Sequence, residues 1–241
     1  MRIEAKNLVK IYGDRGVVND VSFYVDKGEV VCLLGPNGAG KTTTFYMIVG
    51  LIKPNMGTVY IDGNDITSLP MNLRAKAGIG YLPQENSIFR KLTVEENIKL
   101  VLEMNDKLTL NEKKLKLEEL LEEFGVIKLR KYPAVALSGG ERRRVEIARA
   151  LAASPDFMLL DEPFAGIDPI AIGDIKENIK KISKEKGLGV LITDHNPKAT
   201  LSITDRAYVI FDGKIKIEGN SSDVAVNPMA KELYLGKDFQ L

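Results

Sequence analysis

Short apolar runs alternate along the chain with longer segments in which apolar residues recur every three or four positions. Continuous apolar runs of four or five residues are typical of strands that are buried on both faces of a parallel sheet. Such runs lie at residues 30–34, 157–160 and 190–193. Strand-like pieces separated by turns come before the first run, and a further β-like segment at residues 58–61 is followed by an expected hairpin turn. We therefore predict an α/β fold with a mixed or parallel sheet and an N-terminal antiparallel β part.

The pattern changes between residues 93 and 131, where Leu, Glu and Lys dominate. Apolar residues recur there with helical spacing on an otherwise charged helix: Leu110, Leu115, Leu117, Leu120, Leu121 and Phe124. We expect the charges of this segment to form a solvated face rather than a binding site. These features predict a helical subdomain over residues 85–156, inserted into an α/β core made of residues 1–84 and 157–241. The chain of 241 residues fits one such domain.

Composition narrows the class of protein. Lys and Arg number 34 against 33 Asp and Glu, so a net charge of +1 offers no overall attraction for nucleic acid. The single cysteine, Cys32, excludes an intramolecular disulfide, fits a reducing compartment and is expected to be buried as a small apolar residue. No apolar stretch approaches the ~18 residues that cross a bilayer, and no apolar secretory segment begins the chain. We expect a cytoplasmic protein without direct membrane insertion, so that any membrane role depends on a partner.

The residues after the first apolar run match the pattern G-x-x-x-x-G-K-[ST] in full, between a predicted strand and a predicted helix. They are Gly35, Pro36, Asn37, Gly38, Ala39, Gly40, Lys41 and Thr42, with Thr43 following. Glycines let successive backbone N–H groups turn towards phosphate oxygens, and the helix adds its positive end. We expect Lys41 to bridge the β- and γ-phosphates and Thr42 to ligate Mg²⁺. A glycine turn without a ligand is the alternative, but the sequence predicts that the chain binds a nucleoside triphosphate.

Two carboxylates, Asp161 and Glu162, end the apolar run at 157–160. A strand beside the first would deliver them to the phosphate crevice, because ligands bind at the carboxyl ends of parallel strands. Neighbouring strand residues point to opposite faces, so we assign Asp161 to the metal and Glu162 to the attacking water. The alternative is that both acids merely end a strand before Pro163. The only histidine, His195, follows the run at 190–193 after Asp194. It has two interpretations: it caps a turn, or it faces the reacting groups.

A second glycine-containing helix start lies at Leu137-Ser138-Gly139-Gly140-Glu141, ahead of a helix predicted over residues 142–153. On its own it has two interpretations, a serine N-cap with a glycine-rich entry or a site that holds an anion. Together with GPNGAGKT upstream and LLDEP downstream, LSGGE resembles the signature of ATP-binding cassette (ABC) proteins. Glu141 stands where the common form has Gln. The resemblance covers nearly the whole chain.

This resemblance implies roles for residues that would be unremarkable alone. Tyr12 would stack on adenine, with a half-buried strand tyrosine as the alternative. Gln84 would sense the γ-phosphate and contribute to the Mg²⁺ site, and His195 would contact the γ-phosphate. Asp168 lies in the segment that would meet a second subunit, and it can also be an N-cap before Pro169.

In this family two cassettes pair head-to-tail, and each ATP lies between the phosphate loop of one and the signature of the other. Carried over, the phosphate loop would therefore face Ser138, Gly139 and Gly140 of a second copy. The resemblance implies an ATP- and Mg²⁺-dependent ATPase that forms a homodimer when ATP binds. It also implies integral membrane subunits as partners, and no nucleic acid.

Within the family, the strings SIFRKL, TDHN and YLGKDF are similar to those of the ATPases of lipopolysaccharide export. That similarity implies membrane subunits of the LptF/LptG type and attachment to the cytoplasmic face of the inner membrane. Ile88, Phe89 and Arg90 would contact a coupling helix of those subunits, although ordinary packing can also explain Ile88 and Phe89. ATPases of branched-chain amino acid importers share the overall pattern. A soluble cassette acting on ribosomes or DNA fits less well, because one cassette without a long coiled-coil insertion is present.

Overall fold

The computed structural model describes residues 1–106 and 108–241. Its strands are β1 (Arg2–Tyr12), β2 (Arg15–Asp26), β3 (Val30–Leu34), β4 (Met56–Ile61), β5 (Asn64–Asp65), β6 (Ile79–Leu82), β7 (Phe157–Asp161), β8 (Gly189–Thr193), β9 (Arg206–Phe211) and β10 (Lys214–Asn220). Its α-helices are α1 (Lys41–Val49), α2 (Met71–Lys76), α3 (Val94–Glu103), α4 (Leu110–Glu123), α5 (Gly139–Leu151), α6 (Pro169–Lys186), α7 (Pro197–Leu201), α8 (Ser221–Val226) and α9 (Pro228–Ala230). Short turns of 3₁₀- or π-helix lie at Ile127–Leu129, Ala134–Ala136 and Lys231–Leu235.

A six-stranded sheet in the order β10-β9-β3-β8-β7-β6 forms the centre of the fold. Its strands β6, β7, β8, β3 and β9 pair in parallel, and β10 adds an antiparallel edge. The runs predicted to be buried strands form β3, β7 and β8, and every residue of these three strands is buried. Because β3, β8 and β7 lie side by side, their carboxyl ends share one edge. The predicted α/β class with a mixed sheet is confirmed.

A second, antiparallel sheet in the order β2-β1-β4-β5 packs over one face of the first. Side-chain direction alternates along β3, so Val31 and Leu33 face this second sheet together with Phe45 of α1. Cys32 and Leu34 face the opposite side, where the apolar cluster continues into the helical region. The central sheet is thus covered on both faces, as its continuous apolar runs require.

The inserted region contains α3, α4 and α5, in agreement with a helical subdomain, while its limits at residues 85 and 156 stay a prediction. The apolar stripe of α4 is shorter than predicted. Leu117, Leu120 and Leu121 are buried, but Leu110 and Leu115 are 78% and 71% exposed. Leu110 shares a helix face with Leu117, seven residues further on, yet it is exposed at the first position of α4, so helical recurrence alone overestimated the buried face.

Two element boundaries also differ from those predicted. Helix α5 begins at Gly139 rather than at residue 142, because Ser138 and Glu141 form a capping box that brings both glycines into the first turn. Strand β8, which precedes the histidine, ends at Thr193. Asp194 alone therefore forms the turn between this strand and His195.

Candidate nucleotide-binding site

The loop between β3 and α1 is shaped for a phosphate chain. Gly35 has φ +150°, and a Cβ there would lie 2.1 Å from the carbonyl oxygen of Ile210. Gly40 has φ +103°, and a Cβ would lie 2.6 Å from the carbonyl oxygen of Val17. Both ends of the loop therefore have no room for a side chain. Glycine at these two positions allows the backbone to turn its N–H groups towards the centre of the loop. Gly40 is also the N-cap of α1 and provides no side-chain acceptor, so the first N–H groups of α1 are available to an anion.

Lys41 begins α1 and folds back over the loop. Its Nζ donates to the carbonyl oxygens of Gly35 at 2.7 Å and Pro36 at 3.0 Å. Burial lowers the pKa of Lys41, and the nearby carboxylates of Glu162 and Asp161 oppose that shift. The ammonium therefore lies in the loop that it is expected to serve, among groups that favour its charged form.

Asp161 is the last residue of β7, and its side chain is fully enclosed. Neither of its carboxylate oxygens has a hydrogen-bond donor among the described residues. Burial, reinforced by the charge of Glu162, raises the pKa of Asp161 to about 6. A buried carboxylate without a donor is costly unless a cation or bound water satisfies it, so this group fits a hydrated divalent cation. Thr42, whose hydroxyl was predicted to ligate the same ion, is exposed in the first turn of α1, with Thr43 half-buried beside it.

Glu162, Gln84 and His195 meet although they are far apart in the sequence. The Gln84 amide Nε2 donates to Glu162 Oε2 at 2.8 Å, and His195 Nε2 lies 2.6 Å from Glu162 Oε1. Glu162 adopts a left-handed backbone conformation with φ +47°, so it leaves the strand direction that Asp161 keeps. Such strain in a residue with a side chain is concentrated at functional sites. The structure brings together the three side chains that the sequence assigned to the γ-phosphate and the attacking water.

The residues expected to face a second copy form no hydrogen bond with Gln84, Glu162 or His195 in the part of the chain that the structure describes. Ser138 accepts a hydrogen bond from the Glu141 backbone N–H at 3.3 Å, and the Ser138 N–H donates to Glu141 Oε2 at 2.8 Å. Within residues 1–106 and 108–241, no hydrogen bond or ion pair joins Ser138, Gly139 or Gly140 to residues 35–42. Both interpretations of LSGGE therefore remain compatible with the structure, since the serine is an N-cap and is also exposed.

Asp168 caps α6. Its Oδ1 accepts from the backbone N–H groups of Ile170 at 3.1 Å and Ala171 at 2.9 Å, and Pro169 occupies the first helical position. The predicted N-cap is present. Ile170, beside it, is 86% exposed, which leaves an apolar side chain on this surface.

Two further predicted groups lie at the surface. Tyr12 ends β1 with about half of its side chain exposed and with Lys10 Nζ 5.2 Å from its ring centroid. Of the three residues assigned to partner contact, Ile88 is only 7% exposed and packs within the apolar cluster, so the structure does not bring it to the surface. Phe89 is 49% exposed, and Arg90 is exposed beside it.

Sequence reasoning missed Arg143 of α5. Its buried guanidinium donates to the carbonyl oxygens of Pro83, Asp161 and Glu162 at 2.9–3.3 Å, and it pairs with Glu146 at 3.2 Å. Burial lowers the pKa of Arg143, opposed mainly by the charge of Glu146. Arg143 thus fixes the backbone next to Gln84 and at Glu162. The only signal in the sequence is an Arg-x-x-Glu spacing of one helical turn, which is common on helix surfaces.

The acid-bearing strand β7 does not lie directly beside β3 as predicted, because β8 is inserted between them. A glycine loop at a helix N-terminus, a lysine folded over it and an acid at the same edge of the sheet define a P-loop nucleoside triphosphatase. The family model for ABC transporters matches residues 18–165. The lipopolysaccharide export system ATP-binding proteins LptB of Haemophilus influenzae and Escherichia coli strain K12 are 56% and 53% identical to this chain, each over 239 residues and 99% of both sequences. The chain belongs to the ABC transporter family.

Solved structures agree with this assignment. An ATP-binding cassette of an ABC transporter in its ADP conformation has a TM-score of 0.86 at 31% identity, covering 98% of this chain and all of the other. A dimeric bacterial ABC transporter cassette has a TM-score of 0.80 at 29% identity, covering 91% and 98%. The protein is an ATP-binding and ATP-hydrolysing subunit of an ABC transporter. Across the described residues, no helix is both long and apolar enough to span a membrane.

Proposed function

We propose that this ATPase powers lipopolysaccharide extraction from the inner membrane for export. The observation that carries the proposal is the 53–56% identity to LptB proteins over 99% of the chain, which includes the helical subdomain and the C-terminal YLGKDF segment. A cassette subunit reaches its substrate only through membrane partners. We therefore propose LptF/LptG-like membrane subunits, which would hold the protein at the cytoplasmic face of the inner membrane.

The test is affinity purification of the tagged protein from detergent-solubilised membranes, with mass spectrometry of the bound subunits. Two integral membrane proteins of the lipopolysaccharide exporter are the expected result. Recovery of amino acid permease subunits would replace this proposal with the branched-chain amino acid importer. Recovery of ribosomes or DNA without membrane subunits would contradict a role in transport.

For the nucleotide site, we propose that Tyr12 stacks on adenine while residues 35–43 hold the phosphates. Mg²⁺ would be held by Thr42 and Gln84, and through water by Asp161, whose donor-free carboxylate supports this assignment. The ion would supply charge neutralisation at the β- and γ-phosphates. Lys41 would exchange its bonds to Gly35 and Pro36 for phosphate oxygens.

Glu162 would orient the attacking water while His195 and Gln84 contact the γ-phosphate. This role is supported by the cluster geometry, since both partners already reach the Glu162 carboxylate at 2.6–2.8 Å. A neutral imidazole has a single N–H to donate, and the Glu162 carboxylate and the γ-phosphate are both acceptors, so His195 can donate to one of them at a time. The γ-phosphate would compete with Glu162 for Gln84 and His195 and so free the carboxylate for water.

We further propose that two copies enclose two ATP molecules head-to-tail, with Ser138, Gly139 and Gly140 of each facing the phosphates of the other. Asp168 and the exposed Ile170 would lie at the junction between the copies. Among the described residues, no hydrogen bond joins residues 138–140 to the phosphate loop of the same chain, which supports this arrangement. Size-exclusion chromatography with ATP and Mg²⁺ tests it, using a Glu162→Gln variant to prevent turnover. A mass that stays monomeric at saturating ATP would contradict the homodimer.

Partner coupling is proposed for Phe89 and Arg90. Asn97 of α3 holds the backbone of Phe89 from both sides, accepting from its N–H at 2.9 Å and donating to its carbonyl oxygen at 3.1 Å. The guanidinium of Arg149 lies 5.1 Å from the Phe89 ring centroid. A groove of about 200 Å³ adjoins Arg149 and is lined mainly by apolar side chains, among them Met71, Tyr81 and Val101. Phe89 does not line this groove itself but lies against Arg149, which does. A half-exposed aromatic ring in such a position is the type of anchor that receives a partner helix.

A further inference from the structure

Asp194 lies directly before His195, and its carboxylate is almost completely buried at 3% exposure. Oδ2 accepts from the backbone N–H of Phe164 at 3.0 Å, and Oδ1 accepts from the backbone N–H of Asn196 at 2.9 Å. Burial raises the pKa of Asp194, and these two hydrogen bonds oppose the shift. Burying a carboxylate costs free energy unless it is hydrogen-bonded. Each oxygen of Asp194 has a backbone N–H donor, and these two bonds offset that cost.

The two N–H groups belong to different loops at the edge of the central sheet. Phe164 follows Glu162 by two residues, and Asn196 follows His195 by one. These loops come from adjacent strands, β7 and β8, and their functional side chains meet at 2.6 Å. One side chain therefore fixes the distance between the loop that carries Glu162 and the loop that carries His195.

The Glu162 loop needs such support because its backbone is strained. Glu162 has φ +47°, and the Ala165 N–H donates to its carbonyl oxygen at 3.2 Å to close a tight turn. Phe164 lies inside that turn, so its bond to Asp194 holds the turn against β8. The Glu162 N–H donates to the carbonyl oxygen of Thr193 at 2.7 Å on the other side. A left-handed conformation in a residue with a side chain persists only where its surroundings determine it.

We propose that Asp194 is a positioning residue for ATP hydrolysis, which keeps the turn of Glu162 in register with His195 through its two backbone hydrogen bonds. The inference rests on the proposed roles of Glu162 and His195. Asp194 does not reach the nucleotide itself. Its removal should therefore lower the rate of the hydrolytic step and leave ATP binding at residues 35–43 unchanged.

The experiment measures kcat and KM for ATP in the full-length protein carrying Asp194→Asn. An amide keeps the size of the side chain but turns an N–H₂ group towards one of the two N–H donors, so one bond is lost. We expect kcat to fall roughly tenfold with KM within about twofold of wild type. Asn196→Ala is the matched control, because the Asn196 side chain caps α7 through the Ala199 N–H at 3.0 Å and does not bond to the Glu162 loop. Its kcat should stay within about twofold.

An unchanged kcat in Asp194→Asn would overturn the inference. So would equal losses in Asp194→Asn and Asn196→Ala, since any disturbance of the turn would then have the same effect. Glu162→Gln, assayed in parallel, distinguishes a failure of the role proposed for Glu162 from a failure of the role proposed for Asp194. If Glu162→Gln keeps wild-type turnover, the proposed role of Glu162 fails; if it loses turnover while Asp194→Asn does not, only the role of Asp194 fails.

Hydrogen exchange on the wild-type protein provides a measurement that does not depend on a folded variant. The Phe164 and Asn196 amides should exchange far more slowly than the amide of the exposed Gly166. Exchange of the Phe164 amide as fast as that of Gly166 would contradict the bond to Asp194.

Discussion

At the scale of single residues, the cluster of Gln84, Glu162 and His195 combines a strained backbone with side-chain contacts that nucleotide binding would have to exchange. Glu162 is held by Gln84 and His195 and lies in a left-handed turn. The sequence predicted Glu162 and His195 from the apolar runs before them and from family motifs, and Gln84 from the resemblance alone. It could not predict that Glu162 leaves the strand direction, since a positive φ in a glutamate depends on the bonds around it.

Replacing Glu162 by Gln should remove turnover and keep ATP binding. The amide fills the same space but orients and polarises water poorly, so we expect kcat to fall roughly 10²–10³-fold, as when one preorganised group is lost. Phosphate release at saturating ATP measures this, with a fluorescent nucleotide to follow binding. Glu85→Gln is the matched control, because it removes the same charge from an exposed neighbour of Gln84. Turnover of Glu162→Gln within a few-fold of the control would contradict the assignment.

At the scale of elements, the start of α5 shows how a functional motif is also a helix cap. Ser138 and Glu141 bond to each other reciprocally, and hydrogen bonds from Ser138 hold the pKa of Glu141 below its ordinary value. This capping accounts for a carboxylate at residue 141 and explains why α5 begins three residues before the predicted position. A serine N-cap was one of the two interpretations of the sequence, but the helix was predicted to begin only after the two glycines and Glu141.

Glu141→Ala should lower the free energy of unfolding by about 1 kcal/mol, because the Ser138 N–H loses its acceptor. Glu141→Gln should lose less, since an amide oxygen can accept the same bond. The pKa of Glu141 is lower in the folded state, so the stabilisation is complete above the unfolded pKa of about 4.3 and is lost as the pH falls through the folded value. Urea unfolding at pH 7 and at pH 3 measures both effects. A difference between Glu141→Ala and wild type that stays constant with pH would contradict a role for the charge.

At the scale of the whole molecule, the two sheets and the helical region were predictable because motif, strand pattern and composition agreed. The cluster of Gln84, Glu162 and His195 could be expected only through the resemblance, since their contact depends on strand order. Strands β6, β7 and β8 lie side by side, and that order brings residues 84, 162 and 195 to one edge. The exposed Leu110 and Leu115 and the buried Ile88 could not be assigned from spacing, because burial is decided by neighbouring elements.

Phe89→Ala should weaken assembly with the membrane subunits and leave the ATPase activity of the isolated protein unchanged. The half-exposed ring lies outside the nucleotide site, and its truncation removes an anchor at the groove; we expect at least a tenfold loss of affinity. Co-purification of the complex and phosphate release by the isolated subunit measure the two quantities. Tyr132→Ala, which removes an aromatic side chain that is 55% exposed in the same subdomain, is the control. Equal assembly of Phe89→Ala and wild type would remove Phe89 from the coupling contact.

Cys32 has a practical consequence for following the protein at work. It is the only cysteine of the chain, it is buried in β3, and burial raises the pKa of its thiol to about 12. At pH 8 only about one molecule in 10⁴ carries the reactive thiolate, and the fold shields it as well. The thiol of the native chain should therefore not react with maleimide dyes. A cysteine introduced at an exposed position away from the proposed junction, such as Leu110, would accept a single label, and dyes on two copies would then test whether the proposed homodimer forms during ATP turnover.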